Sequence, residues 1–414
     1  MTQTCPAGGD TSARKAIKPG DEPEGRLTKR GTMWRIGSLA AAKDVLLARH
    51  ETIQAGFTAE YIPRKVFRNH PILISDGPQH DEQRRSVARF FAPKVVAERY
   101  TDLMASVVDN IIAQTQRDGK ITIDDVALYY TVEVTASIVG LTHAKVPALA
   151  RRLEKFFRQP PLDRSKPRLG RTNRQWMTAA ANGLGPVLGL FVFDVLPAVR
   201  SRTKNPRHDV ISHLIEQNYN LADILVECVT YGTAGMVTTR EFITMACWHL
   251  VDDDALRLRY VAAEEAERLG ILAEIIRLEP PVGHLYRRVT EDVTVVDRGT
   301  EYALQPGDLV DLDIRQTHAD PDAFPENPLA VCPGRDRAKG VHDVGLSFGF
   351  GAHGCPGQPL ALRETDALLH RLLALPVRKM REPTVSWDDL IEGYKVRGLT
   401  LHLPHETRRG SRRP

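Results

Sequence analysis

The sequence contains only five cysteines, and none of them forms a CxxC pair. An odd cysteine count in a chain of 414 residues argues against a disulfide framework, and a reducing cytoplasm fits better. No run of about 18 or more uncharged apolar residues is apparent, so no membrane span or N-terminal anchor is expected. The first residues also lack the apolar core of a signal peptide.

An excess of charge of one sign is also absent. The formal net charge is only +4, and the Lys and Arg residues are spread along the chain, so nucleic acid is not indicated as a partner. No ligand pair has zinc spacing, and neither an internal repeat nor a βαβ alternation is apparent. The sequence therefore reads as an ordinary soluble globular protein.

What the chain does have is helical periodicity. The pattern predicts helices over residues 34–50, 80–91, 100–116, 123–139, 221–250, 260–278 and 358–375. Strands with turns are predicted over 293–312 and near 400–403, and the Arg-, Lys- and Pro-rich segment 151–175 is predicted as a surface loop. The fold class is thus mainly α with a minor antiparallel β region.

The predicted domain organisation is a flexible tail over residues 1–30, a single domain over 31–407, and a basic tail over 408–414. Residues 221–250 form the longest apolar periodic segment and are predicted as one buried helix through the core. Gly232 and Gly235 lie near its middle, where each glycine costs a helix about 1 kcal/mol relative to alanine. We interpret them as a close approach to something flat or as a local distortion.

The most distinctive local feature is the segment Ser347 to Gly357, which runs directly into the last long helix. Its glycines permit the tight backbone path of a cradle, and Cys355 stands just before the helix N-terminus, where positive partial charge favours a thiolate. Backbone N–H groups of such a loop can tune the sulfur as a metal ligand. A glycine-rich turn with an incidental cysteine explains the local pattern about as well.

The stretch FGFGAHGCPG, from Phe348 to Gly357, resembles the haem-binding signature of the cytochrome P-450 family. The resemblance implies a cytochrome P-450 fold, with haem b buried between the long central helix and the cysteine-loop helix. It implies that Cys355 is the axial iron ligand, that Phe348 packs near the sulfur, and that His353 reaches a haem propionate. Gly357 belongs to the same cofactor-binding signature.

Two further segments resemble the family's propionate-binding stretches. Residues 75–85 include His80 and Arg84, and the RRVTED segment begins with Arg287. The resemblance implies that these three side chains bind haem propionates, with Arg288 as an alternate. Without the resemblance, the first segment reads as a solvated basic helix and the second as a charged turn.

The spacing Glu274-Ile-Ile-Arg277 places opposite charges on one helix face. It resembles the family's ExxR pair, which an arginine from a later loop completes, and Arg335 is the best match for that arginine. Taken alone, the pair would be an ordinary surface ion pair.

The central helix carries Ala234-Gly-Met-Val-Thr238-Thr239, which resembles the family's oxygen-binding groove. There Ala234 and Gly235 leave room over the haem, and Thr238, followed by Thr239, holds oxygen. The alternative is threonine bonding back to the helix backbone. Val237 stands where the family usually has an acid, so protons must come from waters, Glu241, His249 or the substrate.

The resemblance implies an O2-dependent oxidoreductase fed by a ferredoxin and a ferredoxin reductase, because no flavin or NAD(P) domain fits in the chain. A basic patch for the ferredoxin is predicted at Arg84, Arg85, Arg89 and Arg363. The predicted substrate is a small apolar or aromatic natural product of secondary metabolism, either hydroxylated or oxidatively coupled between rings. The predicted pocket residues are Met236, Val237, Val282, His284, Leu285 and Val396. A haem-binding sensor or scaffold without turnover is the alternative.

Overall fold

Helices dominate the computed structural model, which describes residues 12–18, 25–56, 68–164 and 166–403. The helices are α1 (Leu39–Leu47), α2 (Gly77–Phe91), α3 (Pro93–Arg99), α4 (Thr101–Asp118), α5 (Ile123–Val139), α6 (Val146–Phe157), α7 (Asn173–Leu190), α8 (Leu196–Lys204), α9 (Val210–Glu216), α10 (Leu221–Asp252), α11 (Asp254–Ala262), α12 (Glu265–Leu278), α13 (Ile314–Thr317) and α14 (Gln358–Leu373). The largest apolar core lies among the long helices, chiefly α4, α5, α10, α12 and α14.

The strands form small sheets beside the helical core. They are β1 (Leu27–Arg30), β2 (Met33–Ile36), β3 (Thr52–Gln54), β4 (Lys120–Thr122), β5 (His284–Val289), β6 (Val293–Asp297), β7 (Thr300–Leu304), β8 (Leu309–Asp313), β9 (Arg378–Arg381), β10 (Thr384–Asp388), β11 (Gly393–Arg397) and β12 (Thr400–His402). The largest sheet has the order β1-β2-β8-β5-β3 and is antiparallel except for the β2–β8 pair, which is parallel. The mainly helical fold class with a minor β region is therefore confirmed.

The predicted central helix is present as α10, which runs unbroken for 32 residues. Asn220 caps its N-terminus by accepting a hydrogen bond from the backbone N–H of Asp223 at 2.9 Å. Both mid-helix glycines face neighbouring helices: a Cβ on Gly235 would lie 3.2 Å from Thr135 Oγ1 of α5, and one on Gly232 would lie 3.3 Å from Leu153 Cδ2 of α6. The close approach is between helices, and the helix is not distorted.

Three predicted elements need correction. Residues 34–36 belong to strand β2, which pairs with β1 and β8, so the first helix begins only at Leu39. The segment predicted as a loop over 151–175 contains most of α6, because Leu149, Ala150 and Leu153 form an apolar stripe that packs into the core. The helix predicted over 260–278 is two helices that break at Ala263, whose backbone is extended.

The predicted flexible tail is ordered in part. Residues 27–30 form β1, and Arg26 donates to Asp297 Oδ2 at 2.8 Å and to Asp320 Oδ1 at 2.5 Å. Earlier in the chain, Arg14 Nε donates to the carbonyl of Leu278 at 2.9 Å. Backbone pairing and buried carboxylates hold these residues against the domain, while residues 1–11, 19–24 and 408–414 lie outside the described part of the chain.

The sequence predicts no membrane span, yet one long apolar segment meets the length and hydropathy criteria for one. Residues 173–204, which comprise α7, a short π-helical turn and α8, have the length and the mean hydropathy of 1.6 that would allow a membrane crossing. Only 28% of the most apolar stretch is buried, although α7 packs along α6. Length and composition are weak evidence by themselves, since core helices of soluble proteins also have them.

The cysteines differ from the prediction as well. Cys332 is disulfide-bonded, which the odd cysteine count gave no reason to expect.

Candidate functional site

The cysteine loop is a tight turn that ends at the N-terminus of α14. The backbone N–H of Cys355 donates to the carbonyl of Phe348 at 2.7 Å, which closes the loop on itself. Gly351 has φ +67°, and a Cβ there would lie 2.8 Å from the carbonyl oxygen of Leu46. Only glycine fits this position, because the left-handed backbone and the close neighbour both exclude a side chain.

The sulfur of Cys355 is accessible although protein surrounds it. Burial raises the pKa of the Cys355 thiol, while the backbone N–H groups of Gly357 and Gln358 and the charge of Arg84 act in the opposite direction. Those N–H groups belong to the first turn of α14, where the helix dipole also favours negative charge. The loop thus offers an accessible sulfur with donors directed at it, which is the arrangement of a tuned thiolate ligand.

The four side chains predicted to bind propionates meet in one place. The rings of His80 and His353 stack with centroids 4.1 Å apart, and both line a depression that also includes Arg287. Arg84 donates to the carbonyl of Gly354, next to the cysteine. The structure therefore brings the basic groups of α2, β5 and the cysteine loop together beside the sulfur.

This basic cluster is short of negative charge. Burial, with His353 and Arg84 nearby, lowers the pKa of His80 to about 4, and burial lowers that of Arg287 to about 10. Asp76 is the carboxylate that faces them, and its Oδ1 lies 3.1 Å from His353 Nε2. Burial is the largest cause of both shifts, and a bound anion would oppose it by favouring the charged forms of these groups. An accessible thiol beside a buried basic cluster fits haem b, which carries one iron and two carboxylates.

The predicted structural triad is also assembled. Arg277 donates twice to the carboxylate of Glu274, at 2.7 and 2.8 Å, and Arg335 Nε donates to Glu274 Oε1 at 2.9 Å. Arg277 is fully buried and the other two are 4% exposed. The triad is an interior ion cluster, so the alternative of a surface ion pair is wrong.

The residues of the predicted oxygen groove lie on one turn of α10. Ala234 is exposed although most of the helix around it is buried, so this turn of α10 is accessible to solvent. Thr238 Oγ1 donates to the carbonyl of Ala234 at 2.6 Å, which is the alternative arrangement of a threonine bonded back to its own helix, and the lone pairs of that oxygen stay available. Gly235 is half-buried against α5, and Thr239 is buried.

Neither acid-base group suggested by the sequence is positioned to serve this groove. Glu241 is fully buried, accepts from the backbone N–H of Val396 at 2.9 Å, and pairs with Arg240 and Arg397. His249 lies beside Glu279, with 3.6 Å between Nε2 and Oε1. It is eleven residues beyond Thr238, which is about 16 Å along a helix axis.

The predicted substrate residues divide into two groups. His284 and Leu285 line a depression together with Gln54, Gly56, Leu390 and Ile391, and Val282 lies half-buried nearby in sequence. Met236 and Val396 are fully enclosed and Val237 is 3% exposed, so none of them borders either depression. The reason is geometric, since Met236 lies on the opposite side of α10 from Ala234 and Thr238, and Val396 packs with Met245 and Tyr394.

His284 is an ionic group in this wall. Burial opposes its charge, but Asp311, whose Oδ1 lies 2.8 Å from Nδ1, raises the pKa of His284 to about 9. The sequence gave no sign of this pairing, because Asp311 lies on β8, the neighbouring strand. Asp76 was also missed, although it stands four residues before His80 in a motif that had been recognised.

Comparison with known proteins identifies the same region. Residues 270–375, which include the triad and the cysteine loop, match the family model described as Cytochrome P450. Cytochrome P450 109 of Bacillus spizizenii is 25% identical over 318 residues, which cover 75% of this chain and 73% of that protein. Cytochrome P450-SOY of Streptomyces griseus is 24% identical over 384 residues, 86% of each chain.

Solved structures share the fold. The hydroxylase HmtN, involved in himastatin biosynthesis, superposes with a TM-score of 0.71 at 22% identity and covers 93% of this chain and 95% of its own. A mutant of P450 EryK in complex with erythromycin B gives a TM-score of 0.75 at 19% identity, covering 94% and 95%. At these identities the likeness establishes the architecture.

Proposed function

This chain belongs to the cytochrome P450 superfamily, whose members are haem-dependent monooxygenases, and from that premise we propose that it oxidises a small apolar or aromatic natural product. The observation that carries the proposal is the accessible Cys355 sulfur at the N-terminus of α14, beside a buried cluster of basic side chains. The himastatin and erythromycin neighbours support a natural product as substrate.

In this proposal the Cys355 sulfur would bind the iron of haem b, and His80, Arg84, Arg287 and His353 would hold its carboxylates. Bound in this way, the haem supplies O2 activation, which thiolate ligation favours. The carbonyl of Phe348 accepts from the backbone N–H of Cys355 and fixes the cysteine backbone.

The other residues position oxygen and substrate. Ala234 keeps the groove side of α10 free of a large side chain, whereas Gly235 faces Thr135 of α5. Thr238 presents its oxygen to the groove and donates its proton to the carbonyl of Ala234. His284 and Leu285 line the substrate side, where the charged imidazole lies in a mixed wall that also contains the polar side chains of Gln54, Arg164 and Arg287 and the apolar ones of Leu390 and Ile391.

Turnover can be tested with NADPH, a surrogate ferredoxin and its reductase. We expect a panel of aromatic and cyclic natural products to contain compounds that raise NADPH consumption above the substrate-free rate. Products made under labelled oxygen gas then separate the two outcomes: label in the product indicates hydroxylation, and an unlabelled coupled product indicates ring coupling. A haem-loaded protein that never consumes NADPH would favour a sensor or scaffold.

We further propose that electrons come from an acidic ferredoxin in the cytoplasm. The basic patch is smaller than the sequence predicts, because Arg84 points inward to Gly354 and Arg363 pairs with Glu265. Arg85 and Arg89 remain exposed on α2, although the Arg89 guanidinium also lies 2.7 Å from His213 Nδ1 and 3.7 Å from the exposed Glu216 carboxylate.

Arg89→Glu should therefore slow reduction by an acidic ferredoxin several-fold and flatten its dependence on salt, since rim charges act mainly on association rates. Stopped-flow reduction at several ionic strengths measures both effects. Arg378→Glu, an exposed position on β9, is the matched control and should leave the rates unchanged. Equal behaviour of the two variants would remove Arg89 from the docking surface.

A further inference from the structure

A line of buried polar side chains leads along α10 toward the proposed oxygen groove. Asp223, Glu227 and Tyr231 follow one another at intervals of four residues, which places them on one face of the helix. They are 0%, 3% and 9% exposed. The same face continues through Ala234 to Thr238, three and seven residues beyond Tyr231.

Each of these three side chains has one buried polar atom without a hydrogen-bond partner among the described residues. Asp223 Oδ2 accepts from the backbone and side-chain nitrogens of Asn69 at 3.1 and 3.0 Å, and Glu227 Oε1 accepts from the backbone N–H of Ile72 at 2.9 Å. Within the described part of the chain, Asp223 Oδ1, Glu227 Oε2 and the Tyr231 hydroxyl are enclosed and have no hydrogen-bond partner. Buried polar atoms are rarely left in this state, so water or a bound species is expected beside them.

The two ends of this line differ. The outer end is the N-terminus of α10, where Asn220 is exposed and Asn69 is half-buried. The inner end is the accessible turn at Ala234 and Thr238. The line therefore joins the protein surface to the groove over about 22 Å of helix.

We propose that Glu227 and Tyr231 form a proton relay that carries protons from the surface at Asn69 to the groove at Thr238. This inference rests on the proposed function. The relay supplies the proton source that the groove lacks, because Val237 has no acidic group and the Glu241 carboxylate is ion-paired with Arg240 and Arg397.

The proton transfers of the relay balance without any redox partner. The Glu227 O–H bond breaks, the Tyr231 oxygen takes that proton, and the phenol releases its own proton toward Thr238 Oγ1. The Thr238 oxygen takes it and releases the proton it held at Ala234 to oxygen that is reduced to water in the groove. Tyr231 ends neutral, and Glu227 regains a proton from solvent through Asp223. Glu227 and Tyr231 are about 6 Å apart along the axis, a span that two side chains and one bridging water can cover. Thr238 is seven residues or about 10 Å beyond Tyr231, so the last transfer runs through a chain of waters.

The electrostatic setting suits a proton donor. Burial raises the pKa of Glu227 to about 8, with Asp223 adding to the rise and the Ile72 N–H opposing it. Tyr219, Cys228 and Tyr231 are the other titratable groups near this carboxyl.

A carboxyl with this setting keeps its proton at neutral pH and can both give it up and regain it. Burial also raises the pKa of Tyr231 well above its usual value, which keeps the phenol neutral between transfers.

The first test needs no haem. Infrared difference spectra of the haem-free protein at neutral pH, wild type minus Glu227→Gln, should contain the carbonyl stretch of one protonated carboxylic acid. In Tyr231→Phe that band should shift, because the carboxyl loses its neighbour. A difference spectrum without the band, or a band that Tyr231→Phe leaves in place, would overturn the relay.

The second test uses the haem-loaded protein with a surrogate ferredoxin and no added substrate. Glu227→Gln and Tyr231→Phe should each lower oxygen consumption at least tenfold and raise its solvent deuterium isotope effect, since general acid catalysis contributes about 10²–10⁴-fold. The rate of the first reduction should not change. Glu133→Gln and Tyr129→Phe, at exposed positions of α5, are the matched controls.

The outcomes separate the two proposals. A wild-type protein that gives no thiolate-type carbon monoxide spectrum contradicts the proposed function. Normal spectra in all variants, together with unchanged oxygen consumption and isotope effect in Glu227→Gln, contradict the relay alone.

Discussion

Cys355→Ala should abolish the strongly red-shifted Soret band that the reduced, haem-loaded protein gives with carbon monoxide. That band requires a thiolate on the iron, and Cys355 is the described cysteine whose sulfur is accessible. Its neighbours also favour the thiolate, since the N–H groups of Gly357 and Gln358 and the charge of Arg84 all lower its pKa against the effect of burial. The measurement is a carbon monoxide difference spectrum of the wild type and the variant at equal haem content.

Cys247→Ala is the matched control for this experiment. Cys247 is fully buried in α10, and burial raises the pKa of its thiol, so it behaves as a small apolar side chain. Its replacement should keep the band and cost little stability. A thiolate-type band that survives in Cys355→Ala would refute the central assignment, whatever the control shows.

The helical core could be predicted from the sequence because its signal is local. The central helix shows sustained apolar periodicity and a capping Asn220, and both lie within one segment of chain. Strand β5 could not be predicted in this way: its sequence HLYRRV is strongly polar, and it is a strand because β3 and β8 pair with it on either side. The break at Ala263 has no glycine or proline to mark it.

In the candidate site, too, some residues have a local sequence signal and others depend on distant parts of the chain. Cys355, His80 and Arg287 stand in motifs that can be read locally, and the fold brings their elements together. The state of Glu241 could not be read, because its partner Arg397 comes from β11, 156 residues later. Likewise, Glu227 looks like one more polar residue of a long helix until the structure shows its enclosed carboxyl and its place in line with Tyr231.

The largest effect on stability is expected from Glu274→Ala. Its carboxylate is the shared acceptor for Arg277 and Arg335, and it also accepts from the backbone N–H of Cys332 at 2.9 Å. Removing one partner of a buried ion cluster leaves uncompensated charge, which costs about 3–5 kcal/mol. Here two guanidinium groups lose their carboxylate, so the free energy of unfolding should fall by at least that amount.

Denaturant unfolding followed by circular dichroism measures this change, and Glu267→Ala provides the comparison. Glu267 lies on the same helix and pairs with Arg259 at 2.7 Å, but its side chain is 47% exposed, so its removal should cost at most about 1 kcal/mol. If Glu274→Ala does not fold, Glu274→Gln can be measured instead, because it keeps the side-chain shape and loses the charge. Its free energy of unfolding should lie between those expected for Glu274→Ala and Glu267→Ala. Equal stabilities of the Glu274 and Glu267 variants would mean that Arg277 and Arg335 find other partners, and the triad would not be a structural centre of the fold.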